Sequence, residues 1–301
     1  MTKTSVFLLA FALGFTLAAR AEGQVAGGPD TVVVQSGALK LRALLWRPRG
    51  RGPFPAVLFN HGSGHGVRAP SGDYDEHTME WQAAALGPVF ARHGYVFLYL
   101  LRRGTGLSAD QGVNSSDLWD RELAAHGEEA RNRLQFKLLE TVELDDALAG
   151  LTFLRALPEV DARRVAVVGH SFGGSLTLLV AERDSALRAA VVFSSSARSW
   201  PRSPQLRRRL ISAVARTVVP VFFIFAANDY SVAPGEMLAA EMKRLGKPHQ
   251  FKIYPAVGRT AGEGHGFVHL RVTTWEPDVF VFLDKHLTMA GARDKRRTLH
   301  N

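Results

Sequence analysis

Residues 169–173 read Gly169-His170-Ser171-Phe172-Gly173, a serine framed by two glycines. A serine hydroxyl attacks a carbonyl only when it stands clear of the backbone beside a base. A sharp strand-to-helix turn provides that exposure, and the glycines leave room where a Cβ would clash. The run Val165–Gly169 before it is apolar, and Ser171–Glu182 after it has helical spacing. This context predicts a nucleophile at Ser171. Such a turn requires an acid and then a histidine later in the chain. Asp229 follows the apolar run Val219–Ala226, and His265 lies in the Gly-rich segment after Gln250–Tyr254. These two are the expected acid and base. His269, His286, Asp278 and Asp284 fall in or near the last helical segment and are weaker choices.

A tetrahedral intermediate also needs two N–H donors for its oxygen. The N–H of Phe172 is one expected donor. The second is expected from Asn60-His61-Gly62-Ser63-Gly64-His65-Gly66, with Ser63 first and Gly62 next. His61, Arg103, His170 and Tyr230 are expected to line the pocket, and an arginine such as Arg103 would favour an anionic substrate, cap a helix or pair with an acid. His61 and His65 with Asp73 and His77 could alternatively ligate a metal. They lie in a loop rather than on one helix face, and no H-E-x-x-H pattern is present, so the prediction is no metal and no cofactor.

Elements must carry these residues. Short β-branched or aromatic runs occur at 31–36, 41–46, 56–60, 95–100, 165–169, 189–193, 219–226 and 250–254. Helix-length segments fall at 79–93, 136–157, 171–182, 234–245 and 275–287. Strand–helix alternation predicts an α/β fold, with an eight-stranded, mostly parallel sheet, helices on both faces and an antiparallel pair at one edge. Residues 104–133 and 198–216 stand outside the pattern and are candidates for a small cap. The former is long, polar and loop-like. The latter carries six arginines and no acid.

Composition narrows the classes. The chain has 301 residues, 46% hydrophobic and 22% charged, which excludes collagen-like, disordered and coiled-coil readings. It has no cysteine, so disulfides, Cys-ligated zinc, iron–sulfur clusters and a thiol nucleophile are excluded. The charge-free run of 15 residues at 5–19, with Lys3 before it and Ala19-Arg20-Ala21 after it, predicts an export signal cleaved after Ala21. The expected organisation is a signal at 1–21, a leader at 22–30, a catalytic domain at 31–290 and a basic tail at 291–301, in a periplasmic or secreted protein. The net charge of +9 is concentrated locally, with 11 of the 37 basic residues in 198–216 and 285–301. Contact with a membrane surface or another polyanion is conceivable on that basis. Nucleic acid is not an expected partner, because no recognisable module for it is present.

Together, Gly169-His170-Ser171-Phe172-Gly173-Gly174, Asn60-His61-Gly62-Ser63-Gly64, Asn228-Asp229 and Gly264-His265-Gly266-Phe267 resemble the α/β-hydrolase superfamily. Within it they are similar to the dienelactone-hydrolase-like and prolyl-oligopeptidase-like serine hydrolases. Arg102-Arg103-Gly104-Thr105-Gly106 resembles the loop after the fourth strand that borders the pocket. The resemblance implies hydrolysis of small or medium carboxylic esters or lactones through an acyl-enzyme, without a cofactor. Dienelactone hydrolases proper use a cysteine where this chain has Ser171. The alternatives are hydrolysis of small peptides or amides on the same three residues, and non-catalytic binding of anionic surfaces.

Overall fold

The computed structural model describes residues 28–64 and 78–288. The expected signal, most of the leader, the expected tail and the residues His65, Asp73 and His77 lie outside the described residues. In chain order the elements are β1 (Asp30–Ser36), β2 (Leu39–Trp46), β3 (Phe54–Asn60), α1 (Met79–Arg92), β4 (Val96–Leu101), α2 (Ser115–Glu140), α3 (Val142–Ala156), β5 (Val160–His170), α4 (Phe172–Arg183), β6 (Ala189–Phe193), α5 (Pro204–Arg216), β7 (Val221–Ala226), α6 (Ala233–Arg244), β8 (His249–Tyr254), α7 (Ala261–His265), α8 (Phe267–Leu270) and α9 (Val272–Leu287).

The strands form one eight-stranded sheet in the order β1-β2-β4-β3-β5-β6-β7-β8. β1, β2 and β4 pair antiparallel, and every pair from β4 to β8 is parallel. The central strands β3 to β7 are buried on both faces, which explains their apolar runs, whereas the edge strands β1 and β8 are largely exposed. Along β3, Ala56 and Leu58 join the core under α3 to α6, whereas Val57 and Phe59 join the core under α1 and α9. β5 divides its residues in the same way, with Val165 and Val167 on one face and Ala166 and Val168 on the other. The parallel strands therefore end together on one side, where Asn60, Leu101, His170, Phe193, Ala226 and Tyr254 are their last residues.

Two segments differ from the sequence-based expectation. Residues 115–140 are helix rather than loop. Asn114 caps this helix through the N–H groups of Ser116 and Asp117, and Trp119 is buried against Phe172 with ring centroids 5.3 Å apart. Gly127, at φ 80° and ψ −178°, interrupts it. The expected helix over 136–157 is split at Thr141 between α2 and α3. Segment 198–216 also divides. Its first residues border a cavity, whereas α5 packs beside α4 and α6 as an ordinary layer helix. Arg209 and Arg216 of α5 both pair with Glu182, so part of this basic run is neutralised within the fold.

Candidate active site

β5 leads straight into Ser171, whose φ of 55° and ψ of −117° reverse the chain into α4. A non-glycine residue at positive φ is strained and persists only where its surroundings hold it. Here the N–H of Ser171 donates to the carbonyl of Phe193 at 2.9 Å. The flanking glycines are required by contact. A Cβ on Gly169 would lie 2.3 Å from the carbonyl oxygen of Gly173, and one on Gly173 would lie 2.0 Å from that of Asn60. α4 makes its first intrahelical bond from Ser175 to Ser171, so the N–H of Phe172 is among the helix's free N-terminal donors.

The acid and base arrive from β7 and β8. Asn228 fastens the intervening loop: its amide donates to the carbonyls of Val257 and Thr260, both at 2.8 Å, and its oxygen accepts from the N–H of Val257 at 2.8 Å. Gly264 lies so close to Asn228 that a Cβ there would be 2.5 Å from Oδ1. This approach places His265, at the end of α7, between its partners. His265 Nδ1 lies 2.8 Å from Asp229 Oδ1, and Nε2 lies 2.8 Å from Ser171 Oγ. The carboxylate can only accept, so Nδ1 carries the proton and Nε2 faces the hydroxyl as acceptor. Ser171, Asp229 and His265, far apart in sequence, are thus one hydrogen-bonded row.

Gly62 and Ser63 lie against this row. A Cβ on Gly62 would be 3.4 Å from Ser171 Cβ. Ser63, Gly64, Ser171 and Phe172 all line a cavity of about 430 Å³. Trp119, Phe136 and Leu139 of α2, with Leu206 of α5, form its apolar surface. Arg131 enters from α2, and Arg198 and Arg202 from the turns after β6. Asp120 is the single carboxylate among the described lining residues. Arg202 pairs with Glu128 at 3.4 Å, and Arg198 stacks over Tyr230 with its guanidinium carbon 4.7 Å from the ring centroid. Burial, then the charges of Arg202 and Arg198, pull the Arg131 guanidinium below its ordinary pKa, partly offset by Asp120 and Glu128.

None of the four expected pocket residues lines this cavity. Arg103 is turned away: its Nε and Nη2 bond both oxygens of Asp146 at 2.9 and 2.7 Å, and it borders a separate depression near Ser36 and Leu39. The pairing lifts its pKa further above the ordinary arginine value. His61 is buried behind the Gly62–Ser63 loop. His170 is buried too, and its Nε2–H donates to the carbonyl of His265 at 2.8 Å. Burial, with the neighbouring His265 and His269, holds His170 well below the ordinary histidine pKa. Tyr230 is a rim residue, exposed, with its ring edge-on to His265 at 5.2 Å between centroids. His269 is buried between Phe59, Trp81 and His170, and burial pushes its pKa down to about 3.

The sequence-based expectations mark Arg102 only as part of the loop after β4, with no role of its own, and do not mark Glu143. Both are nearly fully buried and paired behind the Gly62–Ser63 loop. A signal does exist: Glu143 and Asp146 interrupt the apolar stripe Leu144, Ala147, Leu151 and Leu154, and carboxylates inside such a stripe require buried partners. Among the described residues no group of three or more His, Cys, Asp or Glu side chains could hold a metal ion, and no helix is long and apolar enough to cross a membrane.

An eight-stranded, mostly parallel sheet with a serine at this strand–helix turn defines an α/β hydrolase. The sequence matches the dienelactone hydrolase family over residues 106–273, and the chain belongs to that family. It is 28% identical over 174 residues to the polyketide transferase grgF of a Penicillium species, covering 54% of this chain and 52% of that protein. The chain therefore spans about half the length of this curated relative. Among solved structures, an acylaminoacyl peptidase of Pyrococcus horikoshii superposes with a TM-score of 0.61 at 18% identity, covering 88% of this chain and 42% of the peptidase. A dienelactone hydrolase of Anabaena variabilis superposes with a TM-score of 0.58 at 19% identity, covering 88% of this chain and 100% of the other.

Proposed function

We propose that the chain is a serine hydrolase of carboxylic esters or lactones that carry an anionic group. The observation that carries this reading is the 2.8 Å contact on each side of the His265 ring, to Ser171 Oγ and to Asp229 Oδ1. His265 takes the Ser171 proton as the oxygen attacks the carbonyl, and Asp229 holds the tautomer and stabilises the charged ring. The N–H groups of Phe172 and Ser63 receive the oxyanion. The leaving group departs with the proton from His265, and water then releases the acyl group by the same steps. An acyl-enzyme can also pass its acyl group to an acceptor other than water, which is compatible with a relative named as a transferase.

The lining of the cavity supports this substrate class. Arg131, Arg198 and Arg202 outnumber Asp120 and the Arg202 partner Glu128, so the cavity carries a net positive charge that an anionic group on the substrate would complement. The apolar surface between these arginines and Ser171 suits an aliphatic or aromatic spacer. The decisive experiment labels wild type and Ser171→Ala with a fluorophosphonate and assays both on p-nitrophenyl hemiesters of dicarboxylic acids, on matched neutral esters and on anilides. Labelling lost in the variant, with hemiesters turned over faster than neutral esters and anilides, is expected. Equal labelling of both proteins would remove the reading, and an anilide rate above the ester rates would make the chain an amidase. Export is a further proposal resting on residues 5–21, tested by fractionating cells that express the full chain.

A further inference from the structure

The Gly62–Ser63 loop has carbonyls that a buried arginine holds. Arg102, the residue after β4, is 2% exposed. Its Nε pairs with Glu143 in the first turn of α3, and Ser115, the first residue of α2, donates its hydroxyl to the other carboxylate oxygen. Its Nη2 lies 3.0 Å from the carbonyl oxygen of His61 and 3.4 Å from that of Gly62. The N–H of Arg102 donates to His61 Nε2 at 3.3 Å, so His61 carries its proton on Nδ1, which donates to the Gly62 carbonyl at 2.7 Å. Burial, with the Arg102 charge next, keeps this imidazole well below the ordinary histidine pKa, so it remains neutral.

A trans peptide points its C=O and N–H in opposite directions. A Gly62 carbonyl drawn back onto Arg102 and His61 turns the Ser63 N–H the other way. Ser63 and Gly64 line the cavity with Ser171, and a Cβ on Gly62 would lie 3.4 Å from Ser171 Cβ, so the loop runs between Arg102 and the serine. We infer that Arg102, clamped by Glu143, is a positioning residue that sets the 62–63 peptide plane and so aims the Ser63 N–H at the oxyanion. This inference rests on the hydrolase reading. It acts on the transition state, where the oxygen becomes charged, and not on the neutral ground-state ester.

The test compares wild type with Arg102→Lys and with the neutral pair Arg102→Met/Glu143→Leu, which leaves no buried charge unpaired if the single change compromises folding. Arg103→Lys, outside the cavity, serves as control. Fluorophosphonate titration counts competent Ser171 in each protein, so kcat refers to folded enzyme alone. Both Arg102 variants are expected to lose about 10–100-fold in kcat with KM nearly unchanged. They should also lose affinity for a boronic acid, which forms a tetrahedral adduct on Ser171, by the same factor. Arg103→Lys should keep both. Unchanged kcat and boronate affinity per titrated site would overturn the inference, as would a rise in KM alone or a loss confined to the titratable fraction. Those results leave the hydrolase reading intact. A wild type that does not label at Ser171 overturns both.

Discussion

The cavity wall that carries Ser171 is held by backbone, whereas the facing wall is held by long side chains. On the first wall, Gly169, Gly173 and Gly264 bring main chain within distances that no Cβ could occupy, and parallel strands fix what they carry. On the second, Arg131, Arg198 and Arg202 reach in from α2 and from the turns after β6. Their anchors include the Arg131 guanidinium over the Trp119 ring at 5.9 Å, Arg198 over Tyr230, a 3.4 Å ion pair from Arg202 to Glu128 and a 3.3 Å hydrogen bond from Asn132 to the Arg202 carbonyl. A reacting centre tolerates little displacement, and a backbone-built wall gives that precision. Selection among substrates requires only complementary charge and shape, which flexible cations on a helix can provide.

Substitutions can break or sharpen this contrast. Asp229→Asn should lower kcat by about 10³–10⁴ while leaving the fold intact, because the favoured tautomer is then wrong. Circular dichroism alongside ester kinetics checks both parts, and retained kcat would mean that the row does not work as a unit. Gly173→Ala should destabilise the protein by about 3 kcal/mol and reduce activity with it, since the new Cβ meets main chain that cannot yield. Urea denaturation at neutral pH measures this, and a neutral outcome would deny that the first wall is rigid.

Beneath the same wall, His269 makes stability depend on pH. Its folded pKa of about 3 lies below its ordinary value of 6.5, so the unfolded chain binds the proton more readily. Stability is therefore full above pH 6.5 and falls as pH drops toward 3, with His61 and His170 acting in the same direction. His269→Leu should remove about 3 kcal/mol of the loss between pH 7 and pH 4 in denaturant titrations. The smallest effect belongs to the second wall. Arg198→Met should raise KM for an anionic ester about tenfold with kcat unchanged, and leave the matched neutral ester alone. An equal effect on both esters would show that this wall acts through shape and not charge.

Much of the first wall was legible in the sequence because its requirements are local. A buried strand, two glycines around a serine and an apolar helix occupy consecutive residues, the acid lies just past the apolar β7, and the base lies in the Gly-rich segment that follows β8. The second wall was legible in place, as the segments 104–133 and 198–216 outside the pattern, but not in form. α2 is polar around most of its circumference and interrupted at Gly127, so it lacks an apolar stripe. It is held instead by its Asn114 cap, by Trp119 on Phe172 and by exposed pairs such as Glu129 with Arg133. The arginines were legible only in part: of the roles open to Arg103, the structure shows the pairing with an acid, Asp146, and not a place in the cavity. Arg102 and Arg103 are indistinguishable by type, and only the placement of Glu143 and Asp146, one turn apart on α3, decides which guanidinium goes behind the loop.

The course of α2 has a consequence for how such a protein can change. Its first residue is tied into the Arg102–Glu143 pair, whereas Leu123, Arg131 and Asn132, farther along, face the cavity. On the proposed reading, the residues that would choose a molecule and those that would cleave it occupy separate stretches of one chain, joined through the Ser115–Glu143 bond and the packing of Trp119 on Phe172. If the proposed reading holds, mutations along the outer part of the helix would redirect the protein to new compounds while its reaction stays the same, and a graft of that stretch between relatives would carry taste without carrying chemistry.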